Sequence, residues 1–78
     1  MGVVGIVLEN NALSGQVNDI LHQYSHIING RMGLPYPQRN VAVISLIIDG
    51  EMDEISAMTG KLGKIKGVAV KTALTKGD

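Results

Sequence analysis

The stretch Val41-Ala42-Val43-Ile44-Ser45-Leu46-Ile47-Ile48 decides the fold, because every position in it is apolar or small. Side chains alternate between the two faces of a strand, so neither face of this segment is suited to water. Such a strand belongs in the middle of a sheet that is covered on both sides. The segment Gly2–Leu8 repeats the pattern and predicts a second central strand.

The rest of the chain switches between helical and strand periodicity. The predicted elements are a helix over about Ala12–Tyr24, a strand of mixed polarity over Ser25–Gly33, a loop with both prolines over Leu34–Asn40, a helix from Asp49-Gly50 to Gly67 and a strand over Val68–Leu74. We expect Gly60 and Gly63 in the second helix to allow a close approach to the sheet.

This order of elements, βαββαβ, predicts a ferredoxin-like α+β fold with a four-stranded antiparallel sheet and two helices on one face. Right-handed crossovers place the first and third strands in the centre. The two strands that are apolar on both faces are the first and the third, and the mixed strands fall at the edges. We expect a single domain over residues 1–78.

Composition narrows the class of protein. The 78 residues carry no net charge, so no overall field attracts nucleic acid or an anionic membrane, and we expect neither as a partner. No segment approaches the roughly 18 apolar residues of a membrane span. Without cysteine there can be no disulfide and no cysteine-ligated zinc or iron–sulfur site, which fits a cytoplasmic location. We expect no cofactor.

The apolar side chains on the sheet face away from the helices need to be shielded from water. The apolar area of this face approaches ~600 Å², at or beyond what monomers usually expose. Burial at about 25 cal/mol per Å² gives ~15 kcal/mol, against an association cost of roughly 4–15 kcal/mol. We therefore expect a homo-oligomer, either a dimer or a tetramer. A different protein as the covering layer is the alternative.

No pattern of catalytic or metal-binding residues stands out. The serines lack the context of a nucleophile elbow, and the acidic cluster from Asp49 to Glu54 is explained by a helix N-terminus, so we expect no enzyme. His22 and His26 have a metal-ligand spacing, but the predicted helix ends between them and no acidic residue completes a site. The segment Thr59–Lys64 resembles a phosphate loop but lacks its leading glycine and its hydroxyl.

The loops offer the remaining candidates, and they suggest a small-molecule effector. Asn10, Asn11 and Gly15 lie where the first helix begins, and free backbone N–H groups there could bind an anion or an amino acid. Arg31 and Tyr36 could complete such a pocket at a subunit junction. The alternative is an ordinary turn and a surface arginine.

Several segments together resemble the family of iron-only hydrogenase system regulators. They are Val4–Val7, Ile20–Ser25, Gly30–Tyr36, Ile44–Gly50 and Asp53–Gly63, and the resemblance extends from Gly2 to Lys76. It implies an oligomeric, ACT-like domain similar to the effector domain of nickel-responsive repressors. Those repressors add a DNA-binding arm and use a cysteine among their metal ligands, and this chain has neither. The resemblance therefore implies neither direct repression nor nickel sensing.

Two functional hypotheses follow. In the first, the chain is a small-molecule-responsive regulatory module of the iron-only hydrogenase system that acts as a homo-oligomer. In the second, it is an adaptor that docks its apolar sheet face on a hydrogenase maturation enzyme or a metabolic enzyme.

Overall fold

The computed structural model of the chain describes residues 1–36 and 38–75. Its elements are β1 (Gly2–Leu8), a 3₁₀ turn (Asn11–Leu13), α1 (Ser14–Gln23), a 3₁₀ turn (Ser25–Ile27), β2 (Ile28–Tyr36), β3 (Val41–Ile48), α2 (Met52–Gly63) and β4 (Val68–Leu74). The strand order is β2-β3-β1-β4, and every neighbouring pair is antiparallel. The ferredoxin-like α+β fold and the central position of β1 and β3 are thereby confirmed.

One apolar core lies between the sheet and the helices. Alternate residues of β1 and β3, such as Ile6 and Leu46, are fully buried there. The apolar stripes of α1 and α2 pack on the same cluster. Its members are Val4, Ile6, Leu8, Val17, Leu21, Ile27, Ile44, Leu46, Ile48, Ile55, Met58 and Leu62. Both helices therefore cover one face of the sheet and leave the other face open.

β2 begins and ends later than the sequence predicts. Ser25–Ile27 forms a 3₁₀ turn, and the predicted start of the strand at Ser25 is wrong because Ile27 turns inward to join the core. The stretch Leu34–Tyr36, predicted as loop, belongs to the strand, and Pro35 pairs with Ala42. An edge strand tolerates proline because its outer N–H groups have no neighbour to pair with.

α2 is shorter than predicted, since it ends at Gly63 and two turns lead to β4. Gly67 lies in the second turn with φ +91°, a conformation that L side chains rarely adopt. The expected role of Gly60 and Gly63 in close helix–sheet approach is wrong, because nothing lies within 4 Å of a Cβ built at either position. Gly50, just before α2, is in contrast a tight position, where a Cβ would lie 2.6 Å from Cγ2 of Ile27.

The beginning of β1 and the end of β4 meet at one corner of the sheet. Gly2 pairs with Leu74, and the backbone N–H of Thr75 donates to the Met1 carbonyl at 2.9 Å. The hairpin between β2 and β3 lies at the opposite end of the strands, where Tyr36 pairs with Val41.

Candidate functional site

The sheet face opposite the helices is a continuous apolar surface, which we call the open sheet face. Directly paired residues of antiparallel strands share a face, so the register defines its members. They are Gly30, Met32, Leu34 and Tyr36 of β2, Val41, Val43, Ser45 and Ile47 of β3, Val3, Gly5 and Val7 of β1, and Ala69, Lys71 and Ala73 of β4. Among these described residues Lys71 is the one that carries a charge.

The two edge strands of the open sheet face differ in the size of their apolar side chains. β2 presents Met32 and Leu34, which are 73% and 53% exposed, whereas β4 presents Ala69 and Ala73. Ile47 of the central β3 is 50% exposed, while its neighbour Leu46 on the helix side is fully buried. The two faces of the sheet are thus equally apolar in chemistry but opposite in solvent access.

A shallow depression lies at the corner of the open sheet face where the ends of β1 and β4 meet. Its volume is about 370 Å³, and its walls include Val3, Ile47 and Ala73. The lining is almost wholly apolar, so the depression suits an apolar side chain rather than a charged ligand.

The residues predicted to bind an effector fall into two groups. Asn10 uses its side-chain oxygen to accept from the Ala12 N–H at 2.9 Å, and the Asn11 N–H donates to Oδ1 of Asn40 at 3.3 Å. This second contact joins the start of the first helical segment to the β2–β3 hairpin, where Tyr36 lies. Gly15 follows in the first turn of α1 and is exposed.

Arg31 belongs to the second group and lies away from the hairpin. It is five positions from Tyr36 along β2, roughly 17 Å at about 3.3 Å per residue. Its guanidinium donates a hydrogen bond through Nη2 to Oδ1 of Asn18 on α1. The structure therefore does not bring Arg31 together with Asn10 and Asn11 within one subunit, and their role in effector binding stays a prediction.

Arg31 instead lines a cleft between α1 and β2 with a volume of about 470 Å³, which we call the α1–β2 cleft. Sequence reasoning did not connect Arg31 with Asn18 and His22 of this cleft, because those two residues look like part of an ordinary solvated helix face. A β-bulge at Asn29, invisible in the periodicity, turns Arg31 toward the helix.

The two histidines are separated as the sequence predicts. His22 lies near the end of α1, whereas His26 lies in the following 3₁₀ turn and contacts Glu54 of α2 through Nε2. Within residues 1–36 and 38–75, no group of three or more His, Cys, Asp or Glu side chains is arranged to hold a metal ion. In the same part of the chain, no helix is both long and apolar enough to cross a membrane.

Comparison with known proteins assigns the chain to a family. The model of the family described as "TM1266-like: Iron-only hydrogenase system regulator, putative" matches residues 1–72. The chain belongs to this family. A member of known structure, the uncharacterized protein TM1266 from Thermotoga maritima, is 40% identical with a TM-score of 0.87. The match covers 92% of this chain and 91% of that one.

Two more distant proteins are also similar. A putative nickel-responsive regulator 1 from Methanosarcina mazei is 29% identical over 77 residues, which are 96% of this chain and 52% of the relative. The chain thus spans about half of that protein's length. A formyltetrahydrofolate deformylase from Pseudomonas putida KT2440 has a TM-score of 0.69 at 9% identity, over 95% of this chain and 28% of that one. At this identity the likeness concerns the fold alone.

Proposed function

We propose that the chain is a regulatory module of the iron-only hydrogenase system that works as a homo-oligomer and responds to a small molecule. The description of its family supports the regulatory role. The open sheet face is the main observation in support of the assembly, because six of its apolar side chains are between 42% and 73% exposed. An apolar surface of this extent is typical of an interaction site.

A second copy of the chain is the occupant that this surface fits. Stacking two open sheet faces about a two-fold axis parallel to the strands places β2 of one copy over β4 of the other. By the strand register Leu34 would then lie over Ala69, where a large side chain meets a small one, and Met32 would lie over the aliphatic stem of Lys71. Interdigitation of this kind produces the packing of a sheet-on-sheet core. Among the described residues of this face, Lys71 is the one charged residue that would lose contact with water when two faces stack.

A regulatory module also needs a place where the effector acts. The hairpin end of the molecule is one candidate. Asn11, which follows Asn10, is hydrogen-bonded to Asn40 of the β2–β3 hairpin, Tyr36 lies at the base of that hairpin, and Gly15 lies in the first turn of the adjoining helix. In an oligomer a pocket at this end could be completed by a neighbouring subunit.

The assembly is tested by substituting one residue in the middle of the open sheet face. Ile47→Glu places a charge where the second copy would lie, and burial of an unpaired charge is strongly unfavourable. We expect sedimentation equilibrium to give an oligomeric mass for the wild type and the mass of a single folded chain for Ile47→Glu. Gln16→Glu, an exposed change on α1, is the matched control and should leave the oligomer intact.

The regulatory role is tested with the same variants in cells. Hydrogenase activity under anaerobic growth should change when the chain is deleted, and it should be restored by Gln16→Glu but not by Ile47→Glu. A wild-type protein that is folded and monomeric at micromolar concentration would contradict the homo-oligomer. The open sheet face would then be a docking surface for a different protein, as expected of an adaptor.

A further inference from the structure

The structure points to a second ligand site in this molecule, and we propose that the α1–β2 cleft binds the carboxylate group of a small organic monoanion. Arg31 is the residue that would bind the carboxylate. The cleft has a volume of about 470 Å³, which lies in the range of roughly 300–1,000 Å³ that small-molecule sites occupy. It is formed within one subunit and is separate from the open sheet face.

Arg31 occupies an unusual position for a charged side chain. Ile28 pairs with Ile48 and Gly30 pairs with Ile47, so Asn29 is the extra residue of a β-bulge. Beyond the bulge, Arg31 pairs with the fully buried Leu46 and shares its helix-facing side. Without the extra residue Ile28 and Arg31, three positions apart, would face opposite sides. Bulges commonly redirect a side chain next to a functional site.

Arg31 is the one charged residue on the helix-facing side of the described strands. None of the ion pairs between described residues includes it, and its contact is the neutral amide oxygen of Asn18. A guanidinium group has five N–H donors in a planar fork, and this contact uses one of the two terminal nitrogens. Asn18 thus holds the guanidinium in place while donors remain for a carboxylate, the group whose shape matches the fork.

The other walls of the α1–β2 cleft define the rest of the ligand. Leu21 is 2% exposed and Ile28 is partly buried against the core, so together they form an apolar floor. His22 and Ser25 add polar groups at the rim that can donate hydrogen bonds. Asp19 lies on the same lining and repels any anion in proportion to its charge, so a single negative charge is opposed less than several. A monocarboxylate with a short apolar group would match this lining.

The proposal is tested by titrating the purified protein with isovalerate and following binding by calorimetry and by amide chemical shifts. We expect saturable binding, with the largest shifts around Asn18 and Arg31. Isovaleramide has the same shape without the charge and should not bind. Arg31→Gln should lower the affinity at least about tenfold, since it removes a charge-assisted pair of hydrogen bonds.

The matched control is Arg39→Gln, which removes the other arginine of the chain, located in the turn after β2. It should leave the affinity unchanged. Asn18→Ala should weaken binding less than Arg31→Gln does, because Asn18 positions the guanidinium and does not carry the charge. Equal binding of isovaleramide, unchanged affinity in Arg31→Gln, tighter binding of inorganic phosphate, or no binding at millimolar concentration would each overturn the proposal.

This inference rests on the proposed function in that the monocarboxylate would be the regulatory effector. The two can fail separately. An oligomer that binds no carboxylate would contradict the inference and leave the regulatory assembly intact. A monomer that binds isovalerate through Arg31 would contradict the assembly and leave the α1–β2 cleft as a ligand site.

Discussion

At the scale of single residues, Gly50 and Gly60 differ in the space that is available for a side chain. A Cβ at Gly50 would lie 2.6 Å from Cγ2 and 2.9 Å from Cβ of Ile27, which is buried in the core. Gly60 lies inside α2 with nothing within 4 Å of a Cβ. The first glycine is required by packing, and the second only lowers the helix propensity of its segment.

We therefore expect opposite effects of the same substitution at these two positions. Gly50→Ala should reduce the free energy of unfolding by about 1–3 kcal/mol through overpacking against Ile27. Gly60→Ala should raise it by roughly 0.5–1 kcal/mol, since alanine favours the helix. Urea unfolding at one fixed protein concentration measures both changes. A neutral Gly50→Ala would mean that Ile27 moves freely, against the close contact described above.

At the scale of elements, the two helices are joined near the end of α1 by polar contacts. Nζ of Lys61 on α2 donates to Oε1 of Gln23 at 3.2 Å and lies 5.2 Å from the centre of the Tyr24 ring. Two turns nearer the start of α2, Glu54 contacts His26, but both side chains are substantially exposed, and such pairs contribute little to stability.

Lys61 should therefore contribute measurably to the packing of α1 on α2. We expect Lys61→Met to lower the free energy of unfolding by about 0.5–1 kcal/mol, since it removes the cation–π contact and the hydrogen bond but keeps the aliphatic stem. Lys64→Met, in the residue that follows α2, is the control and should change stability by less than about 0.5 kcal/mol. Equal losses in the two variants would show that only the net charge matters.

The elements also show what sequence reasoning could and could not predict. The central position of β1 and β3 was predicted from right-handed crossovers, and the pattern agreed, because these two strands are apolar on both faces. The ends of β2 were missed because Pro35 was interpreted as a loop residue and Ile27 as a strand residue. The α1–β2 cleft was missed because a one-residue bulge at Asn29 changes which side chains share a face, and nothing in the local composition marks such a bulge.

At the scale of the whole molecule, folding and assembly should be linked. The core on the helix side belongs to a single chain, whereas the open sheet face would be buried only between copies. Association of folded chains shifts the folding equilibrium toward the folded state by mass action. For a small domain such as this one, that contribution is a large part of the total stability.

We therefore expect the melting temperature of the wild type to rise with protein concentration. In Val3→Glu, which alters β1 on the open sheet face, the melting temperature should be lower and independent of concentration. Gln16→Glu should behave like the wild type. Scanning calorimetry over a hundredfold range of concentration measures the dependence, and a constant melting temperature for the wild type would contradict the linkage.

The meeting of the start of β1 and the end of β4 at one corner has a practical consequence. A purification tag or a reporter joined directly to Met1 or to Thr75 would emerge beside the depression formed by Val3, Ile47 and Ala73. Such an extension would compete with another subunit for the same apolar surface. Tagged protein should therefore look smaller in solution than the same polypeptide after the tag has been cleaved off, whereas a label attached in the β2–β3 turn, at the far end of the strands, would not interfere.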